Sequence, residues 1–173
     1  MKKRNFNLIT LILLGTLCLS ACSAQETPVS SSETSEQDNY ITSSVDFNAP
    51  DGSAVKLSVD FPSEISEFIS LETEKSSFGE GIECTSVLFS FSHGEQSANI
   101  GTIYVFQTDA YNTLDPQAEP IPSQLFASDG LTVAFQNLQS QPFDLSSEEA
   151  EMIDSYQAQI QATLDSIVLE KMQ

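Results

Sequence analysis

Basic residues are scarce in this 173-residue chain, where six Lys and Arg stand against 25 Asp and Glu. Lys2, Lys3 and Arg4 cluster at the amino terminus, and the rest are Lys56, Lys75 and Lys171. Nucleic-acid binding rests largely on Lys and Arg contacts to phosphate, so the balance excludes it. Attraction to anionic lipid headgroups or anionic wall polymers is disfavoured for the same reason. Histidine occurs once, so a Ser or Cys nucleophile with a histidine base would have to use His93. No Gly-x-Ser-x-Gly elbow is present. Tryptophan is absent, which removes the best sugar-stacking side chain. Cysteine occurs only at 18, 22 and 84. One thiol and one histidine are too few for a zinc site, which favours several such ligands.

What is present at the start is a leader. The basic cluster precedes an apolar run whose dense part, Leu8 to Leu19, is 12 residues long. A membrane-spanning helix needs about 20 apolar residues, so length and flank fit a secretory signal. The run ends Leu19-Ser20-Ala21-Cys22. Small residues before the scissile bond suit a peptidase that needs an uncrowded backbone, and the cysteine after them suits thioether lipidation. These first 22 residues resemble the signal and lipobox of bacterial lipoproteins. The resemblance implies lipidation of Cys22, cleavage between Ala21 and Cys22, and tethering to the extracytoplasmic face of the cell membrane. Two acyl chains anchor stably at ~0.8 kcal/mol per buried methylene, where one is marginal. The bilayer is then the first expected partner. Cys18 leaves with the signal, and lipidation of Cys22 leaves Cys84 as the sole thiol, so no intramolecular disulfide forms. The processed chain keeps three lysines against 25 acids, a formal charge of −22.

Residues 22–43 hold the cysteine and then SAQETPVSSSETSEQDNYITS, rich in Ser, Thr, Glu and Gln. So few apolar groups cannot offset the entropy of ordering, which predicts a disordered acidic tether. Residues 44–173 are expected to form one domain. About 130 residues bury roughly two thirds of their surface, enough for stability without cross-links.

Strand signals recur through that domain. Val55, Leu57, Val59 and Phe61 alternate with Lys56, Ser58 and Asp60, and Pro62 closes the run. Residues 68–74 are a weaker candidate. Thr85, Val87, Phe89 and Phe91 share a face, and His93-Gly94-Glu95 offers a turn into Ile100–Phe106. That last run is apolar on both parities, the mark of a central strand covered on both sides. Residues 108–124 contain Pro116, Pro120 and Pro122 and read as a surface connection, with a helical turn near Tyr111–Leu114. Leu131, Val133 and Phe135 alternate after an Asp129-Gly130 turn. Finally Ile153, Tyr156, Ile160, Leu164, Ile167 and Val168 fall at helical spacing. Ser146-Ser147-Glu148-Glu149 offers a capping box, and Leu145 with Ala150 a hydrophobic staple. The expectation is an α+β fold: an antiparallel sheet of five to six strands against a carboxy-terminal helix over about 147–170, in the manner of an α/β/α sandwich.

The strand Gly52–Pro62, the hairpin over 84–107, the late strand and the final helix ending Leu164-Asp165-Ser166-Ile167 resemble a group of uncharacterised lipoproteins of Gram-positive bacteria. More distantly, the order of elements is similar to the PsbP-like fold of photosystem extrinsic proteins. That resemblance implies an α/β/α sandwich serving as an accessory or binding subunit.

Few residues suggest chemistry. Asp109, Asn112 and Asp115 sit three apart with Glu119 nearby, a weak oxygen cluster for calcium without the EF-hand spacing or its glycine. A solvated acidic loop is the simpler account. Cys84 falls on a face with Ser86, Leu88, Ser90 and Ser92, nine residues from His93. It suits a structural thiol better than a nucleophile. Tyr111 is the one tyrosine expected as a surface aromatic. No catalytic residue, metal or cofactor is assigned. The functional expectation is a non-enzymatic binding or accessory module, possible partners including another envelope protein. The alternatives are a small-ligand binder with a pocket between sheet and helix, and a hydrolase working through paired carboxylates.

Overall fold

In the computed structural model the residues described are 39–78, 81–117 and 120–172. The leader, Cys22 and most of the tether lie outside them. The folded part begins earlier than the expected Ser44, because strand β1 spans Tyr40–Asn48. Tyr40–Ser43, assigned above to a disordered segment, pair with Phe61, Asp60, Val59 and Pro62 of the next strand. Their polar side chains hide a strand whose order comes from this long-range ladder.

Strand β2 (Ala54–Pro62) leads into the single turn of α1 (Ser63–Ser66). Then follow β3 (Ile69–Phe78), β4 (Ile82–His93), β5 (Gln96–Gln107), the short α2 (Thr108–Tyr111), β6 (Ser123–Ser128) and β7 (Leu131–Asn137). Helix α3 (Glu148–Asp165) and β8 (Val168–Lys171) complete the chain. The fold is α+β. Its eight strands form two antiparallel sheets, ordered β1-β2-β8 and β3-β4-β5-β7-β6, in place of one sheet of five to six. The strand apolar on both parities, β5, is the centre of the larger sheet.

One main core joins the two sheets and α3. Val55, Leu57, Val59 and Phe61 of β2 meet Val87, Phe89 and Phe91 of β4, Ile103 and Val105 of β5, and Val133 and Phe135 of β7. Ile153 and Tyr156 of α3 close it. Phe61 and Phe89 stack edge-to-face at 5.1 Å, a geometry worth ~0.5–1.5 kcal/mol beyond area burial. The opposite face of the larger sheet carries a smaller cluster of Cys84, Phe106, Leu114 and Ala134, flanked by Phe78, Tyr104 and Tyr111. Gly101 lies where the core is tightest. A Cβ there would sit 3.0 Å from two ring atoms of Phe135 and 3.3 Å from Phe89.

Turn chemistry fixes the hairpins. Asp129 and Gly130 have φ of 52° and 79° and join β6 to β7 as a two-residue loop, the backbone that an Asp-Gly pair favours. Ser147 caps α3, its Oγ accepting from Ala150 N at 3.1 Å. That choice leaves Ala150 at the third helical position, so the reciprocal half of a capping box is missing. The expected staple is absent as well, since Leu145 is 80 % exposed.

The helix stops at Asp165 rather than near 170. Ser166 Oγ donates to Thr163 O at 2.7 Å and accepts from Asp60 N at 2.8 Å, which pins the chain to β2. Val168–Lys171 then pair with Val55–Ser58. The open edge of β2 would otherwise leave ladder groups unpaired, and Ile167-Val168 are β-branched, which suits a strand.

Candidate functional site

The weak oxygen cluster is not a preformed cage. Asp109 lies in α2, Asn112 follows it as the helix cap, and Asp115 sits beyond, its Oδ1 accepting from Gln117 N at 2.8 Å. All three side chains are exposed. Glu119 lies outside the described residues, among which no group of three His, Cys, Asp or Glu is placed to hold a metal ion.

Cys84 and His93 belong to opposite ends of β4. Nine residues of strand, at ~3.3 Å each, put them about 30 Å apart, so they form no nucleophile–base pair. Burial pushes the Cys84 thiol up to about 11, away from the thiolate that a nucleophile needs. His93 is instead a tie between elements. Its Nδ1 donates to Glu149 Oε1 across 2.9 Å, and its ring meets Phe68 edge-on at 5.0 Å. An ionised carboxylate only accepts. The His93 hydrogen bond, followed by the Glu149 backbone N–H, holds the Glu149 carboxyl below its ordinary range.

Tyr111 is not a free aromatic surface. Its hydroxyl donates to Pro122 O at 2.9 Å and its ring lies 5.4 Å from Phe106. Packing over the outer face of the sheet has claimed it.

Among the concave sites of the described residues, two are the roomiest. The larger, about 610 Å³, opens where the β1–β2 turn faces the adjoining ends of β3 and β4. Asn48, Lys75, Ser77, Glu83 and Thr85 are among its lining residues. Lys75 pairs with Thr85 and Ser77 with Glu83 across the ladder, so these four share the face that carries Val87 further along β4. Here the apolar lining between the sheets gives way to a polar one. Thr85 Oγ1 donates to Asn48 O at 3.1 Å, a strut between the sheets. Beside the opening, Lys171 Nζ donates to Asp51 Oδ2 and to Asp129 O, both at 3.2 Å, clasping two turns. Ser53 and then Lys171 lower Asp51 to about 2.

The smaller site is a groove of about 320 Å³ between α1, the end of β2 and α3. Ile65, Met152 and Tyr156 supply apolar surface, and Glu64, Glu148 and Glu151 add carboxylates. The Tyr156 hydroxyl itself is buried without a hydrogen-bond partner among the described residues. Neither site was anticipated by residue number. The usable sign was Glu74-Lys75-Ser76-Ser77, where a strand continues after its apolar alternation has ceased.

No family model, curated protein or solved structure matches the chain.

Proposed function

We propose that this chain is a lipid-anchored extracytoplasmic protein, held to the cell membrane through acylated Cys22, whose domain is a non-enzymatic binding or accessory module. The observation that carries the proposal is Leu19-Ser20-Ala21-Cys22 at the end of a short apolar run behind three basic residues. No helix among the described residues is long and apolar enough to cross a membrane; in this reading Cys22 carries the attachment of the domain. With a formal charge of −22, the processed protein adds no electrostatic attraction to an anionic bilayer. Acyl chains must supply the binding.

The binding role is supported by the kind of surface the domain offers: a polar cleft and a carboxylate-rimmed groove. The partner in the accessory role is another envelope protein. Gentle crosslinking in membranes, followed by recovery of the full protein, is expected to yield one dominant partner. Recovery of none would count against the accessory role.

A second reading, a small-ligand binder with its pocket between sheet and helix, is favoured by the groove between α1, β2 and α3. A hydrolase working through carboxylates has less support. A general acid needs a raised carboxyl pKa, whereas Asp51, Asp144 and Glu149 are all lowered by hydrogen bonds.

A further inference from the structure

The larger cleft has features that a gap between sheets does not require. On the inner face of the larger sheet, the core continues to Leu131 on β7 but ends at Val87 on β4, where Thr85 takes the next inward position. Beyond it, Lys75, Ser77 and Glu83 continue the same face into an opening of about 610 Å³, within the ~300–1,000 Å³ typical of ligand sites. Lys75 and Glu83 are diagonal neighbours on adjacent strands, a spacing of about 7–8 Å. They do not pair with each other; among the described residues Lys171 pairs with Asp51, and Glu149 is hydrogen-bonded to His93. One positive and one negative group thus line a single cleft, each with hydrogen-bonding capacity to spare.

The surrounding charge narrows the ligand. Three lysines against 25 acids repel a free anion at long range. A ligand that meets Lys75 is therefore favoured when it carries a compensating positive group, and Glu83 is placed to receive it. Two extended residues span about 7 Å, a length that the long, exposed side chains of Lys75 and Glu83 can bracket. The geometry points to a binding site for a short zwitterionic peptide, its carboxylate on Lys75 and its ammonium on Glu83, with Ser77 and Asn48 offering polar contacts along its length. The proposal rests on the domain being a binding module, and it names the ligand class. The cleft lies at the Asn48 end of β1, whereas the chain enters at Tyr40. It therefore opens about 26 Å along β1 from Tyr40.

The probe is dialanine, titrated calorimetrically into full-length processed protein in detergent. Saturable binding is expected. Lys75→Gln and Glu83→Gln should each weaken it about tenfold or more, with unchanged thermal melting to show that both variants fold. N-acetyl-dialanine and dialanine amide, each lacking one charge, should bind as poorly as the matching variant. No saturable binding at millimolar dialanine, or binding that both variants leave intact, overturns the proposal. Either result leaves membrane retention through Cys22 untouched, so failure of the cleft and failure of the anchor are distinguishable.

Discussion

The space between the two sheets has a dry end and a wet end, built from the same strands. At the dry end α3 brings Tyr156 against the core that holds Phe61 and Phe89, and each of the three is nearly inaccessible to solvent. At the wet end Lys75, Ser77 and Glu83 occupy equivalent inward positions and are exposed. The β3–β4 ladder is continuous across both, running unbroken from Ile69↔Phe91 to Phe78↔Ile82. The difference therefore lies in side-chain chemistry and in what covers it. A fold can hold its stability at one end of a sheet pair and leave the other end free for binding.

Substitutions at the two ends should separate in size. Phe89→Ala removes a ring that contacts Phe61 edge-on and approaches Phe135 at 6.1 Å. The expected loss is about 3–5 kcal/mol in denaturant unfolding. A loss below about 1 kcal/mol would mean that the dry end does not hold the domain together. Gly101→Ala acts by crowding. Replacing a strand glycine gains ~0.5–1 kcal/mol, but forcing a methyl against Phe135 and Phe89 costs ~1–3 kcal/mol. A net loss is expected, and a rise in melting temperature would contradict the packing described.

Tyr156→Phe should move the other way. Its hydroxyl is buried without a partner among the described residues, and burial alone raises the phenol pKa. Deleting the oxygen while keeping the ring should leave stability unchanged or raise it by up to about 1 kcal/mol. A clear loss would reveal a hydrogen bond to that hydroxyl. Smallest is the clasp beside the wet end. Asp51 is lowered to about 2 from an ordinary 3.8. A depressed folded pKa gives stability that is present above the unfolded value and lost as pH falls through the folded one. Asp51→Asn should cost less than about 1 kcal/mol at neutral pH, as exposed pairs do. That difference should shrink as pH falls from about 4 to about 2. A difference that grows over this window would reverse the sign and remove the clasp.

Much of the dry end was legible in the sequence, because two-sided burial writes itself as apolar residues on both parities in Ile100–Phe106. The Asp129-Gly130 turn and the start of α3 were legible through local backbone preference. Three strands were not. β1 carries Thr42, Ser43 and Ser44, and its order comes from pairing with β2. β6 sets Leu125 beside Phe126, and the register shift between Gln124 and Phe126 breaks its alternation. In β8, Val168 extends the helical spacing, and only the open edge of β2 decides the outcome. The wet cleft is assembled from three separate segments, and no local pattern announces such a meeting. The weak calcium candidates Asp109, Asn112 and Asp115 show the converse, since nearness in sequence did not make a cage.

The central claim is that Cys22 becomes the lipidated first residue of the processed protein. Intact-mass and amino-terminal peptide analysis of protein extracted from membranes tests it directly. The account predicts that residues 1–21 are missing and that the terminal peptide begins at Cys22 carrying a thioether-linked diacylglyceryl group. A terminal peptide that retains Met1–Ala21, or an unmodified Cys22 on membrane-bound protein, would contradict it.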